Sequence, residues 1–553
     1  MSPAPNPRST GFPAQDAPQS ERYEATFAPG TDGHTLASPV VAPPSSIVSG
    51  QNVWVREGEF QPRWKLSKTS VINPATPGGD APVIGSHGST IYGAVVYQSI
   101  HSNAQAPYYV IGTGNNFYIG SQNDSPSDLS FSAMSYVSST GSSIPPNLAD
   151  GRRRDWFGAT VYSAATNQNI LMMSGDTKAT YCFAGNPATG LIFSHATQAP
   201  AAVDIVTFQN RAVAWNTKIL ADIQFINTRV QWSVAGDPFD WVGIGSGSED
   251  LVDMQGLGTR IFVRGDDMLL ATNRELWTGR YIGPPYYFQF DALTTTQGIP
   301  YKRAALQTPE GIVWLGEDMM VYALRGNQIA PVGTAFQTLL RRTLINPEVA
   351  FFTYHKKLRH LRLFYNDANS FTAWPNRSIT LDTSTGAWFQ ERYNHTFQRG
   401  VSTPMTYYST FPLDGGSAGN GQPWGQSELL WTSARTTTYF AESETSDLLS
   451  TVTQEAVLGA LFTDDTRYAK TLKEVRVDVR SDGASDLTIG VSPTLGSAYS
   501  EIKVITNSSG SFPLQSTLTF DTEALYPTLR IHSLATNRWR ISRVYAMAER
   551  QGR

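Results

Sequence analysis

The sequence predicts an all-β fold: an irregular β-propeller followed by a C-terminal β-sandwich, with an extended N-terminal arm. Charged residues make up only 16% of the 553 residues, against about 25% in an average globular chain, and aromatic residues make up 11%. The chain also has 46 glycines and 33 prolines, which supply many turns. Low charge with frequent aromatic and turn-forming residues favours short strands joined by tight turns. A strand–turn–strand unit that recurs along the chain favours the propeller.

Residues 1–45 predict an extended arm or a flexible tail. They are rich in proline, serine, alanine and glycine, and they show no hydrophobic periodicity. In an oligomer such an arm can run over a neighbouring subunit, and the alternative is a disordered leader. The sequence leaves both interpretations open.

Residues 46–455 are predicted to form the propeller, because one unit recurs through much of this range. An apolar strand meets a turn of glycine, asparagine or aspartate, and a second strand then carries an aromatic residue and ends at glycine. The units begin at residues 108, 169, 211, 268, 311 and 379, so their spacings run from 42 to 68 residues. These values straddle the period of about 40–50 residues of a four-stranded blade, and five to seven blades fit. Two long loops, at about 122–147 and 403–426, interrupt the pattern.

The hairpin RVQWSVAGDPFDW contains two tryptophans and one phenylalanine within ten residues. A strand ends at Trp232, and the pair Asp237-Pro238 predicts a turn because proline keeps the preceding residue out of the helical region. Phe239 and Trp241 follow the turn. Aromatic side chains of this size need a neighbouring sheet to bury them. We therefore expect Trp232, Phe239 and Trp241 to form core between blades rather than a platform for a ligand.

A second turn, DTSTGAW, resembles the Asp-x-x-Thr-Gly-x-Trp turn of kelch-like propellers. It is also loosely similar to the Asp-box of sialidases, although the spacing of serine and aspartate differs. The turn residues are Asp382, Thr385 and Gly386, and Trp388 follows the turn. We expect Asp382 and Thr385 to close a hairpin with Trp388 packed beneath it.

Helix is scarce in the predicted fold. The segment AFQTLLRRTLI, residues 335–345, places Phe336, Leu339, Leu340 and Leu344 near one face, which predicts a short amphipathic helix. From about residue 457 apolar and polar residues alternate strictly in short runs. This pattern predicts a C-terminal β-sandwich over 456–553, with a domain boundary near Glu455.

No sequence pattern predicts a catalytic site, a cofactor site or a metal site. The chain has no HExxH motif, zinc-like cysteine and histidine spacing, GxSxG elbow, Walker motif or dinucleotide fingerprint. His355 and His360 are the only close histidine pair, and a five-residue step along one strand would place them on opposite faces. Three pairs of adjacent carboxylates fall in predicted turns, where such residues are favoured. They are Asp266-Asp267, Glu317-Asp318 and Asp464-Asp465. We therefore predict that the chain is not an enzyme.

Composition also predicts the compartment. The single cysteine, Cys182, makes a disulfide framework within the chain impossible. The first residues lack the apolar core of a signal peptide, and no run of about 18 apolar residues predicts a transmembrane segment. The net charge of −4, without a basic stripe, suits a surface past which DNA slides without sticking. We expect the protein to be made and assembled in the cytoplasm.

Four segments together resemble β-propeller proteins of bacteriophage tails. They are NVWVREGEFQPRWKL (52–66), VQWSVAGDPFDW (230–241), GIVWLGEDMMVYALRGNQIAPVG (311–333) and YAKTLKEVRVDV (468–479). The family that they resemble most is the tail nozzle, or head-closure and DNA-stabilisation protein, of short-tailed phages. The resemblance runs from about residue 48 to the C-terminus as a chain of short motifs.

The resemblance implies a structural virion protein with no catalytic residues. Such proteins form a hexameric ring below the portal and adaptor proteins, continue the DNA channel and retain the packaged DNA. They also dock tail fibres, spikes or a needle protein, and double-stranded DNA passes without sequence-specific binding. The implied location is the phage tail, assembled in the cytoplasm of a bacterial host.

Two other functions stay open on the sequence alone. Aromatic loops and the DTSTGAW turn are compatible with a glycan-binding or glycan-degrading β-propeller. A propeller that serves as a scaffold for protein partners is the third possibility.

Overall fold

The structure is a computed structural model that describes most of the chain. The described residues are 22–29, 35, 41–56, 59–62, 66–69, 91–97, 108–113, 117–122, 129–136, 155–175, 178–183, 192–195, 198–218, 226–356, 358–368, 374–393, 396–402, 428–432, 439–442, 454–462, 469–481, 485–493, 501–507, 510–533 and 539–550. The chain forms two compact units. One comprises Met1–Arg63 with Thr453–Arg553, and the other comprises Trp64–Val452.

The unit Trp64–Val452 is a β-propeller whose described strands form seven antiparallel sets of four, here called blades 1 to 7. Blade 1 comprises Ile91–Tyr97, Tyr108–Thr113, Phe117–Gln122 and Leu129–Ala133. Blade 2 comprises Phe157–Ser163, Gln168–Gly175, Lys178–Phe183 and Ile192–His195. Blade 3 comprises Ala201–Phe208, Arg211–Lys218, Arg229–Trp232 and Gly247–Asp250. Blade 4 comprises Gly258–Arg264, Asp267–Thr272, Leu276–Gly283 and Tyr287–Thr294.

The remaining blades complete the ring. Blade 5 comprises Ala305–Thr308, Gly311–Leu315, Val321–Arg325 and Gln328–Pro331. Blade 6 comprises Phe351–His355, His360–Tyr365, Arg377–Asp382 and Trp388–Arg392. Blade 7 comprises Phe397–Ser402, Glu428–Thr432, Tyr439–Glu442 and Leu66–Thr69. A short strand, Ser135–Tyr136, pairs with the last strand of blade 2, and a single pairing of Ala179 with Ala201 joins blade 2 to blade 3.

The ring closes through a strand from the N-terminal side of the unit. Leu66–Thr69 pairs antiparallel with Tyr439–Glu442 and forms the outermost strand of blade 7. The first strand of blade 1 contacts the first strands of blade 2 and blade 7, so the first strands surround the centre. The predicted propeller fold is confirmed, and within the predicted range of five to seven blades the described strands form seven.

Two tryptophans pack against glycines of neighbouring strands. Trp156 is fully buried between blades 1 and 2, against Gly93, Gly112 and Gly175. A Cβ atom at Gly112 or Gly175 would lie 2.4 or 2.8 Å from the Trp156 ring, which is too close for any side chain. A Cβ atom at Gly93 would lie 2.3 Å from the backbone carbonyl oxygen of Trp156. The same arrangement recurs where a Cβ at Gly247 would lie 2.7 Å from the Trp232 ring. Glycine therefore leaves the space that a large ring fills.

One described α-helix, Thr334–Thr343, connects blades 5 and 6, and a 3₁₀ turn, Pro347–Val349, follows it. Its Phe336 and Leu340 side chains are buried in the core formed by these blades. The centroid of the Phe336 ring lies 5.4 Å from that of Trp388. The structure thus contains the helix predicted from the apolar pattern, ending two residues before the predicted end.

The second unit is a β-sandwich. One sheet runs in the order Val53–Arg56, Glu59–Pro62, Trp539–Arg550, Lys470–Ser481 and Gly510–Ala524, with Arg22–Phe27 also paired to Trp539–Arg550. The other sheet runs in the order Ile47–Gln51, Gln454–Ala460, Thr528–Ser533, Ser485–Ser492 and Glu501–Asn507. All of these pairs are antiparallel.

The domain limits differ from the predicted ones at the N-terminal side. Residues 46–63 belong to the sandwich rather than to the propeller, and part of the predicted arm, Arg22–Phe27, is a sandwich strand. Trp54 and Phe60 are fully buried, and the Phe60 ring centroid lies 5.7 Å from that of Trp539. Alternation along a sequence predicts a strand but does not reveal its partner, and here the partners lie at the other end of the chain.

Of the two long loops predicted from the sequence, the first contains a strand and the second lies outside the described residues. The strand Leu129–Ala133 lies inside the predicted loop 122–147 and completes blade 1, so that loop prediction is wrong for these residues. The strand Leu129–Ala133 pairs with Phe117–Gln122, although the serine-rich sequence of this segment does not predict a strand. The predicted loop 403–426 lies outside the described residues.

The substitution Phe60→Ala tests whether residues 46–63 belong to the sandwich. We expect a loss of about 3–5 kcal/mol in the free energy of unfolding of the sandwich, because the change removes a fully buried ring. Amide hydrogen exchange measured by mass spectrometry should rise first in 454–462, 469–481 and 539–550. A rise confined to propeller strands would contradict the assignment.

Candidate interaction surface

The aromatic hairpin of blade 3 lies between blades. Trp232 belongs to the core shared by blades 3 and 4, where its ring packs edge-on against Phe288 at 4.9 Å between centroids. Trp241 belongs to the core shared by blades 2 and 3, and Phe239 packs against the same cluster. All three aromatic side chains therefore contribute to packing between blades, which is the position that the sequence predicts.

The turn between these aromatics is held by local hydrogen bonds. The Asp237 carboxylate accepts a hydrogen bond from the backbone N–H of Phe239 at 3.0 Å, and Pro238 is buried. The Trp241 indole N–H donates to the Pro238 carbonyl at 2.8 Å. Asp237 and Pro238 thus fix the turn that inserts Trp241 into the core.

The loop that follows Trp241, residues 242–246, is also fixed. Asp240 Oδ1 accepts hydrogen bonds from the backbone N–H groups of Val242 at 3.1 Å and Gly243 at 2.7 Å. Ser246 donates from its backbone N–H and its hydroxyl to the Gly243 carbonyl, at 3.0 and 2.7 Å. Gly245 has a φ of 99°, a conformation that favours glycine. The loop has a defined shape even though it lies at the surface.

Arg211 joins this loop to blade 4. Its side chain is buried, and one guanidinium nitrogen donates to the Ser233 carbonyl at 3.0 Å and to the Gly245 carbonyl at 2.5 Å. The guanidinium lies 4.8 Å from the centroid of the Tyr287 ring, a cation–π contact. The loops of two neighbouring blades are therefore held against each other.

We call residues 242–246 and 281–287 the apolar rim. Neither segment contains a charged residue. Ile244 is 99% exposed, Val242 is 75% exposed and Tyr286 is 75% exposed, and Tyr281 and Ile282 are also exposed. Monomeric proteins rarely expose contiguous apolar patches larger than a few hundred Å², and larger patches mark interaction sites. The apolar rim is therefore the candidate functional surface.

The sequence contained signals for the apolar rim that motif reasoning does not use. The runs VGIGSG and YIGPPYY combine glycine or proline with β-branched and aromatic residues and carry no charge. Arg211 directly follows a hairpin tip, Gln209-Asn210, in which both residues have positive φ values. An apolar residue in a tight, charge-free loop was the available clue.

The kelch-like turn is a structural element. Asp382 Oδ1 accepts hydrogen bonds from the backbone N–H and the hydroxyl of Ser384 at 2.8 and 2.6 Å. Thr385 Oγ1 accepts from the Ala387 N–H at 3.2 Å, and Gly386 has a φ of 78°. Trp388 is buried in the core of blades 5 and 6. The four predicted residues thus meet in one hairpin, with no open face of Trp388 for a ligand.

Two ion pairs fill part of the centre of the propeller, and sequence reasoning missed them. Arg260 donates to Asp204 at 2.7 Å, and Arg303 is paired with Asp155. The Arg260 guanidinium also lies 4.1 Å from the centroid of the Phe157 ring. The residues come from the first strands, or the residues just before them, of blades 2 to 5. Two carboxylates are thus balanced by two guanidinium groups in a mostly buried cluster.

A buried polar network lies in blade 6. Glu391 accepts hydrogen bonds from the hydroxyls of Thr380 at 2.6 Å and Ser378 at 2.9 Å, and it is also bonded to the Tyr393 hydroxyl. Arg362, fully buried, lies 3.9 Å from the same carboxylate. The network is closed to solvent, so its chemistry is structural.

The prediction that His355 and His360 lie on opposite faces is wrong. The chain turns between them, and the two residues are direct partners across an antiparallel pair, which places them on the same face. Both are buried, and His355 Nδ1 accepts a hydrogen bond from the Leu358 N–H at 3.2 Å. The five-residue step spans a hairpin rather than one strand.

The described carboxylate pairs lie in turns with partners of their own. Asp267 pairs with Arg264 at 2.8 Å. Asp318 accepts hydrogen bonds from the Tyr322 hydroxyl at 3.0 Å and the Met320 N–H at 3.1 Å. Burial is the main cause that raises the pKa of Tyr322, and the hydrogen bond to Asp318 raises it further. The pair Asp464-Asp465 lies outside the described residues.

Within the described part of the chain, no group of three or more histidine, cysteine, aspartate or glutamate side chains is placed to hold a metal ion. In the same residues, no helix is long and apolar enough to cross a membrane.

No protein-family description and no curated protein matches the chain. Similar solved structures include Hsv2 from Kluyveromyces marxianus, at 10% identity over 53% of this chain and 74% of that chain, with a TM-score of 0.32. Polycomb repressive complex 2 from Chaetomium thermophilum is similar at 9% identity, over 58% and 71% of the two chains, with a TM-score of 0.32.

A family 43 arabinoxylan arabinofuranohydrolase from Bacillus subtilis covers more of the chain. It is 9% identical over 91% of this chain and 96% of that chain, with a TM-score of 0.23. At such scores these similarities carry no functional argument. The strand pairing of the chain itself defines the propeller and the sandwich.

Trp241→Ala tests the role of the aromatic hairpin. We expect a loss of about 3–5 kcal/mol in the free energy of unfolding, because the indole is buried and hydrogen-bonded between blades 2 and 3. The neighbouring Val242→Ala, at an exposed position, is the control and should change stability by less than about 0.5 kcal/mol. Normal folding of Trp241→Ala with loss of one specific ligand would overturn the structural assignment.

Tyr365→Phe tests the effect of burial in blade 6. Burial raises the pKa of Tyr365 from 10.0 to about 12. Because the folded-state pKa is the higher one, the stabilisation is present below pH 10 and is lost as the pH rises from about 10 through about 12. Over that window the wild type should lose roughly 2–3 kcal/mol more than the variant in chemical denaturation. Identical alkaline profiles would contradict the burial effect.

Proposed function

We propose that this chain is a structural subunit of a phage tail nozzle, and that it acts by forming a ring and binding other virion proteins. The observation that carries the proposal is the apolar rim. A rigid, charge-free surface on a folded propeller is suited to binding another protein rather than to chemistry. The resemblance of four sequence segments to nozzle proteins supplies the identity of the assembly.

The segments that carry the resemblance lie mainly in strands and turns of the two units. Residues 230–241 form the aromatic hairpin, and residues 311–333 form most of blade 5. Residues 468–479 fall largely in the strand Lys470–Ser481 of the sandwich, and residues 52–62 supply two further sandwich strands. A likeness spread over strands of both units supports a shared architecture, which is what a structural subunit requires.

The charge distribution is compatible with a DNA channel built from several copies. The net charge of −4 repels a phosphate backbone, so DNA can move past without binding. The ion pairs at the centre of the propeller fill part of that axis, so the proposed channel lies between subunits rather than through one propeller.

A glycan-binding propeller is the second candidate, and the exposed Tyr281 and Tyr286 favour it because aromatic faces can pack against sugar rings. Two features speak against glycan cleavage. Asp155 and Asp204 are each paired with an arginine, and glycosidases use one protonated and one free carboxyl group. Trp388 is buried beneath its turn and presents no stacking face.

Binding to a portal–adaptor complex tests the proposed function. The purified full chain should associate with the portal–adaptor complex of its own phage and form a ring of defined stoichiometry, measured by native mass spectrometry. Particles assembled without the protein should leak packaged DNA, and addition of the purified chain should restore retention. A stable monomer that never binds the portal–adaptor complex would contradict the proposal. Specific binding or hydrolysis in a glycan screen would instead support the second candidate.

A further inference from the structure

We propose that Arg211, at the base of the apolar rim, binds a carboxylate carried by an apolar segment of another protein. The inference rests on the proposed function, which requires the rim to bind a virion protein, and it adds the chemistry by which that protein is recognised. The guanidinium group contacts the carbonyl of Gly245 in one loop of the rim and the ring of Tyr287 in the other. It therefore lies where the two loops meet.

Arg211 differs from the other buried arginines in its partners. The described residues include three arginines that are buried, and two of them face a carboxylate: Arg303 faces Asp155 and Arg362 faces Glu391. Arg211 is 5% exposed, and within the described part of the chain its guanidinium is held by two backbone carbonyls and one aromatic ring. Buried charges are normally paired, so the missing partner of this cation is an anion.

The hydrogen-bond donors of Arg211 are only partly used. A guanidinium group has five N–H groups. The terminal nitrogen Nη1 donates to the carbonyls of Ser233 and Gly245, while Nε is buried and has no hydrogen-bond partner among the described residues. Hydrogen bonds between a guanidinium and a carboxylate are about twice as strong as those between neutral groups. The side chain thus keeps donor capacity for an acid.

Gly245 leaves a space beside this guanidinium. A Cβ atom at Gly245 would lie 3.4 Å from the hydroxyl oxygen of Tyr287 and 3.7 Å from Nη1 of Arg211, which are ordinary van der Waals distances. The space therefore accepts one atom without displacing its neighbours. An oxygen atom of a carboxylate at this point has the Tyr287 hydroxyl and the guanidinium as hydrogen-bond donors.

Charge selects the occupant. One carboxylate balances one guanidinium, whereas a phosphate group carries a charge of about −1.5 to −2 and would exceed it. The carboxylates of the adjoining hairpin, Asp237 and Asp240, accept hydrogen bonds from backbone N–H groups of that hairpin. A second copy that docked through its own rim would bring no acid, because residues 242–246 and 281–287 contain no charged residue. The acid therefore comes from a different surface, which we assign to another protein.

The surroundings of Arg211 define the residues that flank the acid. Ile244 projects from one loop of the rim and Tyr286 from the other, and they are 99% and 75% exposed. A buried arginine surrounded by apolar contacts that exclude water is typical of a binding hot spot. The partner segment therefore places its acid between apolar residues, which pack on Ile244 and Tyr286.

The substitution Tyr287→Phe tests the site, because it removes one hydroxyl donor and keeps the ring against which Arg211 packs. Peptides selected from a random library on the full-length wild-type protein should carry Asp or Glu between apolar residues. Their dissociation constants should rise about tenfold in the variant, since a hydrogen bond to a charged group is lost. The matched control is Tyr286→Phe, which removes the hydroxyl of a neighbouring exposed tyrosine and should leave binding unchanged.

A second comparison changes the peptide instead of the protein. Replacing the acid of each selected peptide by its amide should raise the dissociation constant at least about tenfold, because the guanidinium again lacks an anion. Equal binding of the amide peptides, selected peptides without an acid, or a library that yields none would overturn the inference. Competition by inorganic phosphate at a concentration where acetate has no effect would also overturn it.

Two further measurements separate the inference from the proposed function. Self-association of the wild type that is lost in Tyr287→Phe would place the acid on a second copy and would overturn the assignment to another protein. Equal binding of the wild type and Tyr287→Phe to the portal–adaptor complex, together with peptides that carry no acid, would overturn the inference and leave the proposed function standing. A wild type that binds no portal–adaptor complex would contradict the proposed function itself.

Discussion

Closure of the propeller by the strand Leu66–Thr69 is the constraint on which the rest of the structure depends. This strand completes blade 7 by pairing with Tyr439–Glu442, so the two ends of the propeller segment meet in one sheet. In the sandwich, Ile47–Gln51 pairs with Gln454–Ala460. The chain therefore builds both units from its N-terminal and C-terminal parts together. Contacts between residues so distant in sequence carry an entropic cost of loop closure, which the burial of apolar side chains in the two cores offsets.

Once the ring is closed, packing between blades determines what reaches the surface. Trp156 and Trp232 fit against glycines whose missing side chains leave room for a ring. The aromatic hairpin places Trp241 inward, and the next residues, 242–246, are then forced outward in a short loop. Arg211 and Asp240 hold that loop in one conformation. The same local packing that stabilises blade 3 thus holds Ile244 at the surface, where it is 99% exposed.

Local patterns predicted a large part of this fold. The all-β class, the propeller, the helix over Phe336 and Leu340, and the turn at Asp382 all follow from spacing and turn chemistry within short segments. The partner of Phe60 and the pairing of Asp155 with Arg303 could not be predicted, because they join segments far apart in sequence. The same reason explains the error at His355 and His360, where an unrecognised turn made neighbours of two residues. Exposure of Ile244 depends on tertiary structure, since an isoleucine in a sequence is more often buried.

The central proposal is that the chain is a ring-forming structural subunit of a phage tail nozzle. Electron cryomicroscopy of the purified full-length protein tests it most directly, because one reconstruction gives both the number of copies and the residues between them. The account predicts a closed ring around a lumen wide enough for double-stranded DNA. Separate monomers, or an oligomer with no open lumen, would contradict it.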